Sequence, residues 1–309
     1  MRYPQMFATK AIERKLEEGI RKGIIWHTQR SGKTALDFYN VEYLTDYFKK
    51  KSIVPKFYFI VDRFDLLIQA SREFKSRGLV VYNINSRDEF AKNIKSRSVI
   101  HNSLGKPEIT VVNIHRFEND PDVIQNNDYQ LNIQRVFFLD EVHRSYNPKG
   151  SFLANLEQAD TNAIKIGLTG TPLLGTDYNS RSLFGEYIHK YYYNASIKDG
   201  YTLRLIRGRN WNQLCTKQKK QKKVTSAAVI LHDIGTKKDR EDLIEDFKHG
   251  DIDFLFVFNM LLTGFDSSRL KKLYVGRVIK AHNLLQALTR VNRTYKDFKY
   301  GYVVDFADI

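Results

Sequence analysis

The stretch from Gly23 to Thr34, reading Gly-Ile-Ile-Trp-His-Thr-Gln-Arg-Ser-Gly-Lys-Thr, constrains this chain more than any other. An apolar run, Ile24 to Trp26, enters a short polar loop that closes on Ser31, Gly32, Lys33 and Thr34, and residues 35–48 have the spacing of a helix. Strand, tight loop and helix in that order is the setting of a phosphate-binding loop. Backbone N–H groups and the positive end of the helix dipole point at an anion there. In the pattern G-x-x-x-x-G-K-[ST] the lysine reaches the β- and γ-phosphates of ATP and the hydroxyl holds Mg2+; those roles fall here to Lys33 and Thr34. His27 stands where the pattern has its first glycine. Ser-Gly-Lys-Thr alone arises by accident in roughly one chain of this length in seven. A plain helix start, with Ser31 as its cap and Lys33 in solvent, therefore stays open until more residues are weighed.

Strand and helix signals alternate onward. Residues 4–21 carry Phe7, Ala11, Ile12, Leu16 and Ile20 at helical spacing. Strands are expected at 56–61, 109–114, 136–139 and 163–168, a helix over 65–75, and a polar loop over 119–130. Short apolar runs of this kind belong to buried parallel strands. Their alternation with helices argues for a right-handed parallel α/β sheet through about residue 200, with ligands at the C-terminal strand ends. Lys217, Lys219, Lys220, Lys222 and Lys223 then crowd a stretch that reads as a solvated basic linker. Apolar runs at 227–231, 253–258, 273–278 and 302–306 make a second, smaller α/β unit. The expected division is a first lobe over 1–206, a linker over 207–226 and a short second lobe over 227–309.

Charge narrows the partners. The 309 residues hold 50 Lys and Arg against 35 Asp and Glu, a net +15, which favours a polyanionic partner and nucleic acid above others. No apolar run approaches the roughly 18 residues of a membrane span, and the N-terminal residues lack the apolar stretch of a secretory signal. The single cysteine, Cys215, excludes an internal disulfide and suits a reducing, cytoplasmic location.

Asp140, Glu141 and His143 follow directly on the strand at 136–139. A carboxylate at a strand end is placed to hold Mg2+, the role expected of Asp140, and Glu141 beside it to orient and deprotonate the water that attacks the γ-phosphate. Thr169, Gly170 and Thr171 close the next strand, with hydroxyls able to sense those carboxylates. Gln286, Arg290 and Arg293 stand at i, i+4 and i+7, the spacing of one helical face. Two arginines so placed in the second lobe have the look of arginine fingers that neutralise transition-state charge when the lobes close. One decoy is set aside: Asp62 with Glu73 and Lys75 imitates a nuclease's carboxylate set, but the helical spacing of Leu66, Leu67, Ala70 and Phe74 carries Glu73 away from Asp62.

Taken in order, Trp26-His-Thr-Gln, Val61-Asp-Arg, Asp140-Glu-Val-His-Arg-Ser, Leu168-Thr-Gly-Thr-Pro, Asn259-Met-Leu-Leu-Thr-Gly-Phe-Asp and Gln286-Ala-Leu-Thr-Arg-Val-Asn-Arg resemble the superfamily-two helicase-like motors. In detail they resemble the motor part of the restriction (R) subunit of type I restriction–modification enzymes, and so does Arg2-Tyr-Pro-Gln5. The resemblance runs from residue 2 to the C-terminus. It implies two RecA-like parallel-sheet lobes with helices on both faces, and ATP and Mg2+ as cofactors. Gln5 would read the adenine edge, and Gly264, Asp266 and Gln286 would join Ser31, Gly32, Lys33 and Thr34 in binding ATP. His143, Thr169, Gly170 and Thr171 would couple the site to movement along double-stranded DNA. Methyltransferase and specificity subunits would be partners. Two departures stand out: members of the family carry an N-terminal nuclease domain, whereas this chain begins at the motor. The second lobe is also short near 207–226, where the family's first strand–helix units of that lobe lie. A strand-separating helicase is the close alternative. A small-molecule kinase would have no use for Gln286, Arg290 and Arg293, and intact Lys33, Thr34, Asp140 and Glu141 argue against a scaffold with a decayed nucleotide site.

Overall fold

The computed structural model describes residues 1–28, 31–95, 106–113, 132–140, 160–170, 184–208, 225–258, 260–261, 265–279 and 281–307. Two compact units emerge, Met1–Tyr192 and Tyr193–Ile309.

The first unit is built on a seven-stranded, wholly parallel sheet. Its strands are β1 (Lys22–His27), β2 (Val54–Val61), β3 (Val80–Ile84), β4 (Glu108–Asn113), β5 (Ile133–Leu139), β6 (Ile164–Thr169) and β7 (Tyr187–Tyr191), in the order β3-β4-β2-β5-β6-β1-β7. Its described helices are α1 (Tyr3–Glu17), α2 (Lys33–Lys49), α3 (Phe64–Ser76) and α4 (Arg87–Lys95). Side chains alternate across the sheet, as the pleat requires. Phe57, Phe59, Val61, Val136 and Phe138 pack with Ala8 and Ile12 of α1, Leu36 and Leu44 of α2 and Phe74 of α3. Tyr58, Ile60, Phe137 and Leu139 face the other way, onto Phe90 and Ile94 of α4. Both faces are thus buried, which is why the central strands read as unbroken apolar runs rather than alternating ones.

The second unit holds a two-stranded sheet, β9 (Ala227–Ile230) with β10 (Phe254–Val257), and a three-stranded sheet in the order β11-β12-β8. The latter joins β8 (Arg204–Gly208), β11 (Lys272–Val275) and β12 (Tyr300–Asp305), with every pair parallel. Its described helices are α5 (Tyr193–Lys198), α6 (Lys237–His249) and α7 (Ala281–Leu288). Helix α6 is bounded as its sequence dictates: the Thr236 hydroxyl accepts from the Asp239 N–H at its start, and left-handed Gly250 ends it. The expected lobe boundary at residue 206 falls inside β8. That strand pairs with β12, so the division comes earlier, after Tyr192. Of the expected linker, 209–224 lies outside the described residues, as does the expected loop at 119–130.

Candidate nucleotide site

At the C-terminal end of β1 the chain turns through the loop into α2. Gly32 precedes the helix at φ +81°, the left-handed region that suits glycine, and a Cβ there would come within 2.6 Å of the Gln5 amide nitrogen. The Gln5 side chain is buried and donates to the carbonyls of Ser31 (3.3 Å) and Gly32 (3.0 Å). Its oxygen accepts from the Arg2 N–H at 2.8 Å. Gln5 therefore braces the loop from α1. Lys33 and Thr34 occupy the first turn of α2, where backbone N–H groups have no intrahelical acceptor. The Ser31 hydroxyl oxygen is buried with no hydrogen-bond partner among the described residues.

Asp140 follows β5, and its N–H extends the ladder to the Ile60 carbonyl at 2.9 Å. Asp37 lies one turn beyond Lys33 on α2. Its carboxyl is fully buried and pushed well above the ordinary carboxylate value, first by burial and then by the charge of Asp140, while Asn40 and the charge of Lys33 act the other way. Asn40 is fixed in turn by the Thr9 hydroxyl of α1 at 2.7 Å. Sequence reasoning passed over Asp37; the signal was an acid four residues past Lys33 on the buried stripe of α2. His27 ends β1, fully buried, with Nε2 2.7 Å from Nδ1 of His189 on β7. Burial, with the charges of His189 and Lys33, pushes it down to about 3. Beside it Trp26 donates to the Gly170 carbonyl at 3.3 Å, and buried Thr169 registers against Trp26 across β6 and β1. Glu141, His143 and Thr171 lie outside the described residues.

In the second unit the arginines meet by a route other than the one expected. Helix α7 ends at Leu288, so Arg290 and Arg293 do not share a helical face with Gln286. The chain instead tightens through Arg290 N–H to Ala287 and Val291 N–H to Leu288, then leaves as the Asn292 carbonyl accepts from the Leu203 N–H. Gly301 of β12 permits this course, since a Cβ there would collide with the Val291 carbonyl. Both guanidinium groups nevertheless reach the Phe265 carbonyl, Arg290 at 2.5 Å and Arg293 at 3.2 Å, and buried Arg293 forms an ion pair with Asp266. Gln286 is buried on α7. Gly264 lies outside the described residues. The decoy carboxylate Glu73 sits on α3 and pairs at 2.6 Å with Arg77, the residue that caps the end of that helix.

Residues 4–240 match the SWI2/SNF2 ATPase family. The chain belongs to that family. Residues 180–308 match domain 3 of the type I restriction enzyme R subunit. A type I restriction enzyme endonuclease subunit of Staphylococcus saprophyticus is 24% identical along the whole chain, in an alignment of 428 positions that takes in 44% of that protein. A second, from Staphylococcus aureus, is 25% identical over 425 positions, again with 44% covered, so the chain spans less than half of these relatives. Among solved structures, the DNA-bound type ISP restriction–modification enzyme LlaBIII superposes with TM-score 0.65 at 13% identity, over 98% of this chain and 27% of that one. A fragment of a HsdR subunit from Vibrio vulnificus gives 0.62 at 15%, over 99% and 64%. This SWI2/SNF2 ATPase therefore has the helicase-like α/β fold, and no described helix is long and apolar enough to cross a membrane.

Proposed function

We propose that this SWI2/SNF2 chain is the ATP-driven motor portion of a type I restriction enzyme R subunit, a translocase on double-stranded DNA. The observation that carries the reading is the left-handed Gly32 that opens α2, held from α1 by Gln5, with Lys33 and Thr34 in the first turn of the helix. The donor set fits a magnesium nucleotide: a left-handed glycine ahead of a helix, a lysine and a hydroxyl in its first turn, and a carboxylate at a strand end. ATP with Mg2+ would supply the phosphoryl group whose hydrolysis drives movement. Gln5 is assigned the adenine edge, Ser31 and Gly32 the phosphate loop, Lys33 the β- and γ-phosphates, Thr34 and Asp140 the metal, and Glu141 the attacking water. Arg290 and Arg293 would neutralise charge developing on the phosphates, with Gly264, Asp266 and Gln286 ordering them and contacting ATP. His143, Thr169, Gly170 and Thr171 would couple hydrolysis to DNA. The net charge of +15 supports duplex DNA as the track. Methyltransferase and specificity subunits are proposed as partners and the cytoplasm as the setting. Strand cleavage is assigned to a separate nuclease portion.

The test is ATP turnover with no nucleic acid, single-stranded DNA, duplex DNA and duplex RNA, for wild type, Lys33→Ala and Glu141→Gln. Duplex DNA should stimulate the wild type most. Lys33→Ala should lose both nucleotide affinity and turnover, whereas Glu141→Gln should keep affinity and lose turnover. Near-normal turnover in Glu141→Gln would overturn the site assignment, and displacement of a strand from a forked duplex would replace translocation by unwinding.

A further inference from the structure

The loop between β1 and α2 is held at both ends. Gln5 of α1 fastens its end, at Ser31 and Gly32, and β7 fastens its start. The Thr28 N–H donates to the Tyr191 carbonyl at 2.9 Å, and the His27 and His189 rings meet with Nε2 2.7 Å from Nδ1. His189 reaches that place because β7 is irregular. Ile24 registers against Tyr187 but Ile25 against His189, so Ile188 is an extra residue in the strand. In a regular pairing His189 would fall opposite Trp26, and His27 would face Lys190 instead of Tyr191. Gly23 makes room for the irregularity, since a Cβ there would collide with the Ile188 side chain. Bulges of this kind recur beside functional sites, where they re-aim a side chain.

Packing alone does not explain the histidine pair. His27 is fully buried, and its other nitrogen, Nδ1, has no hydrogen-bond partner among the described residues. Such an orphan costs stability that an apolar ring would not lose. A neutral imidazole carries one N–H and one lone pair. An unpaired lone pair is easier to bury than an unpaired N–H, and the positive charge of Lys33 acting on the ring favours the lone pair at Nδ1 as well. Both effects put the proton on Nε2, aimed at His189. We propose that His189 is a positioning residue for the phosphate loop: its Nδ1 accepts from the His27 Nε2–H, and this bond fixes the residue that stands where G-x-x-x-x-G-K-[ST] has its first glycine. With its start held in this way, the loop loses less freedom when phosphates arrive. The inference rests on the ATP-site reading and adds to it a residue on the edge strand of the sheet.

The experiment compares the full chain as wild type, as His189→Leu, which removes the acceptor, and as His189→Asn, whose side-chain oxygen falls near the place of Nδ1. Long-range proton–nitrogen NMR reads the His27 tautomer without nucleotide, with His27→Gln identifying the signals, and calorimetry reads ADP affinity. Wild type and His189→Asn should carry the proton on Nε2, and His189→Leu should show a mixture of tautomers. ADP should bind His189→Leu about five- to tenfold more weakly, the worth of one anchoring hydrogen bond, and His189→Asn within about twofold of wild type. The KM for ATP should rise in His189→Leu while kcat holds. Equal ADP affinity in wild type and His189→Leu would overturn the proposal, as would a His189→Asn protein no tighter than His189→Leu. So would a proton on Nδ1 of His27 in wild type, which decides the point even if His189→Leu fails to fold. A wild-type chain that binds no ADP would instead overturn the ATP-site reading, and this inference with it.

Discussion

The side-chain amide of Gln5 lies 3.0 Å from the carbonyl oxygen of Gly32 and 3.3 Å from that of Ser31, two hydrogen bonds that fasten the first helix to the loop opening the second. Because Gly32 is held at φ +81° with that amide against the place a Cβ would occupy, one substitution attacks both the backbone and the brace.

Gly32→Ala should therefore cost roughly 1–2 kcal/mol in left-handed strain, plus about 1 kcal/mol for the displaced amide. For a unit of this size that is a drop of about 4–12 °C in Tm. Binding of a fluorescent ATP analogue should be lost together with it. Gln5→Ala should show only the smaller, second part of the stability loss, and weaker binding of the analogue through the lost adenine contact. Calorimetry and a nucleotide titration check both, and a Gly32→Ala protein as stable and as tight-binding as wild type would show that the brace is not as described.

The histidine pair makes the first unit acid-sensitive. His27 is pushed down to about 3, against about 6.5 in the unfolded chain, and His189 is lowered too. Between those values the unfolded state takes up a proton that the folded state refuses. Stability is therefore fully present above pH 6.5 and falls as pH drops, by up to about 1.4 kcal/mol per pH unit for His27. Urea midpoints at pH 7.5, 6.0 and 5.0 should decline more steeply in wild type than in His27→Gln; parallel declines would remove the histidine from the explanation.

Arg135 and Asp160 form a buried ion pair at 3.0 Å, and Arg135 also donates to the Ile94 carbonyl at 2.7 Å. Burial and the charge of Arg135 already push the buried Lys56 down to about 8. Removing Asp160 leaves that basic cluster uncompensated, so Asp160→Ala should cost about 3–5 kcal/mol, whereas the double change Arg135→Met with Asp160→Leu should recover most of it. Denaturant unfolding of the three proteins decides the point.

Much of this was legible because both faces of the first sheet are buried. Val136 to Leu139 announced β5 as one apolar run, and the loop from Ile24 to Thr34 announced β1 and α2. The edges were not legible. In β3 and β7, Asn83 and Lys190 interrupt five-residue segments that touch one neighbour only, so no apolar run forms. β8 was hidden in the same way, with Arg204 and Arg207 at its exposed positions. The spacing of Gln286, Arg290 and Arg293 suggested a continuous helix. The convergence of the arginines proved to depend on a carbonyl, that of Phe265, which no side-chain pattern encodes.

On the DNA side, affinity for duplex should fall with salt along a log–log slope of about −0.9 per phosphate contacted. It should also vary little with sequence. A fluorescence anisotropy titration from 50 to 300 mM potassium chloride (about a sixfold range) measures it, and a flat or strongly sequence-selective response would remove backbone tracking as the mode of contact.

Strand order also sets a timetable. β1 is made early, yet its only neighbours are β6 and β7, with Lys22 registered against Lys165 and Ile25 against His189. During synthesis the loop-bearing strand must therefore wait, both edges unpaired, until β6 and β7, well over 100 residues later, have left the ribosome. Pairings this distant in sequence close slowly, and an exposed strand edge invites wrong partners meanwhile. Nascent chains halted before residue 187 should thus be prone to aggregation and unable to retain nucleotide, whatever the integrity of their first 50 residues.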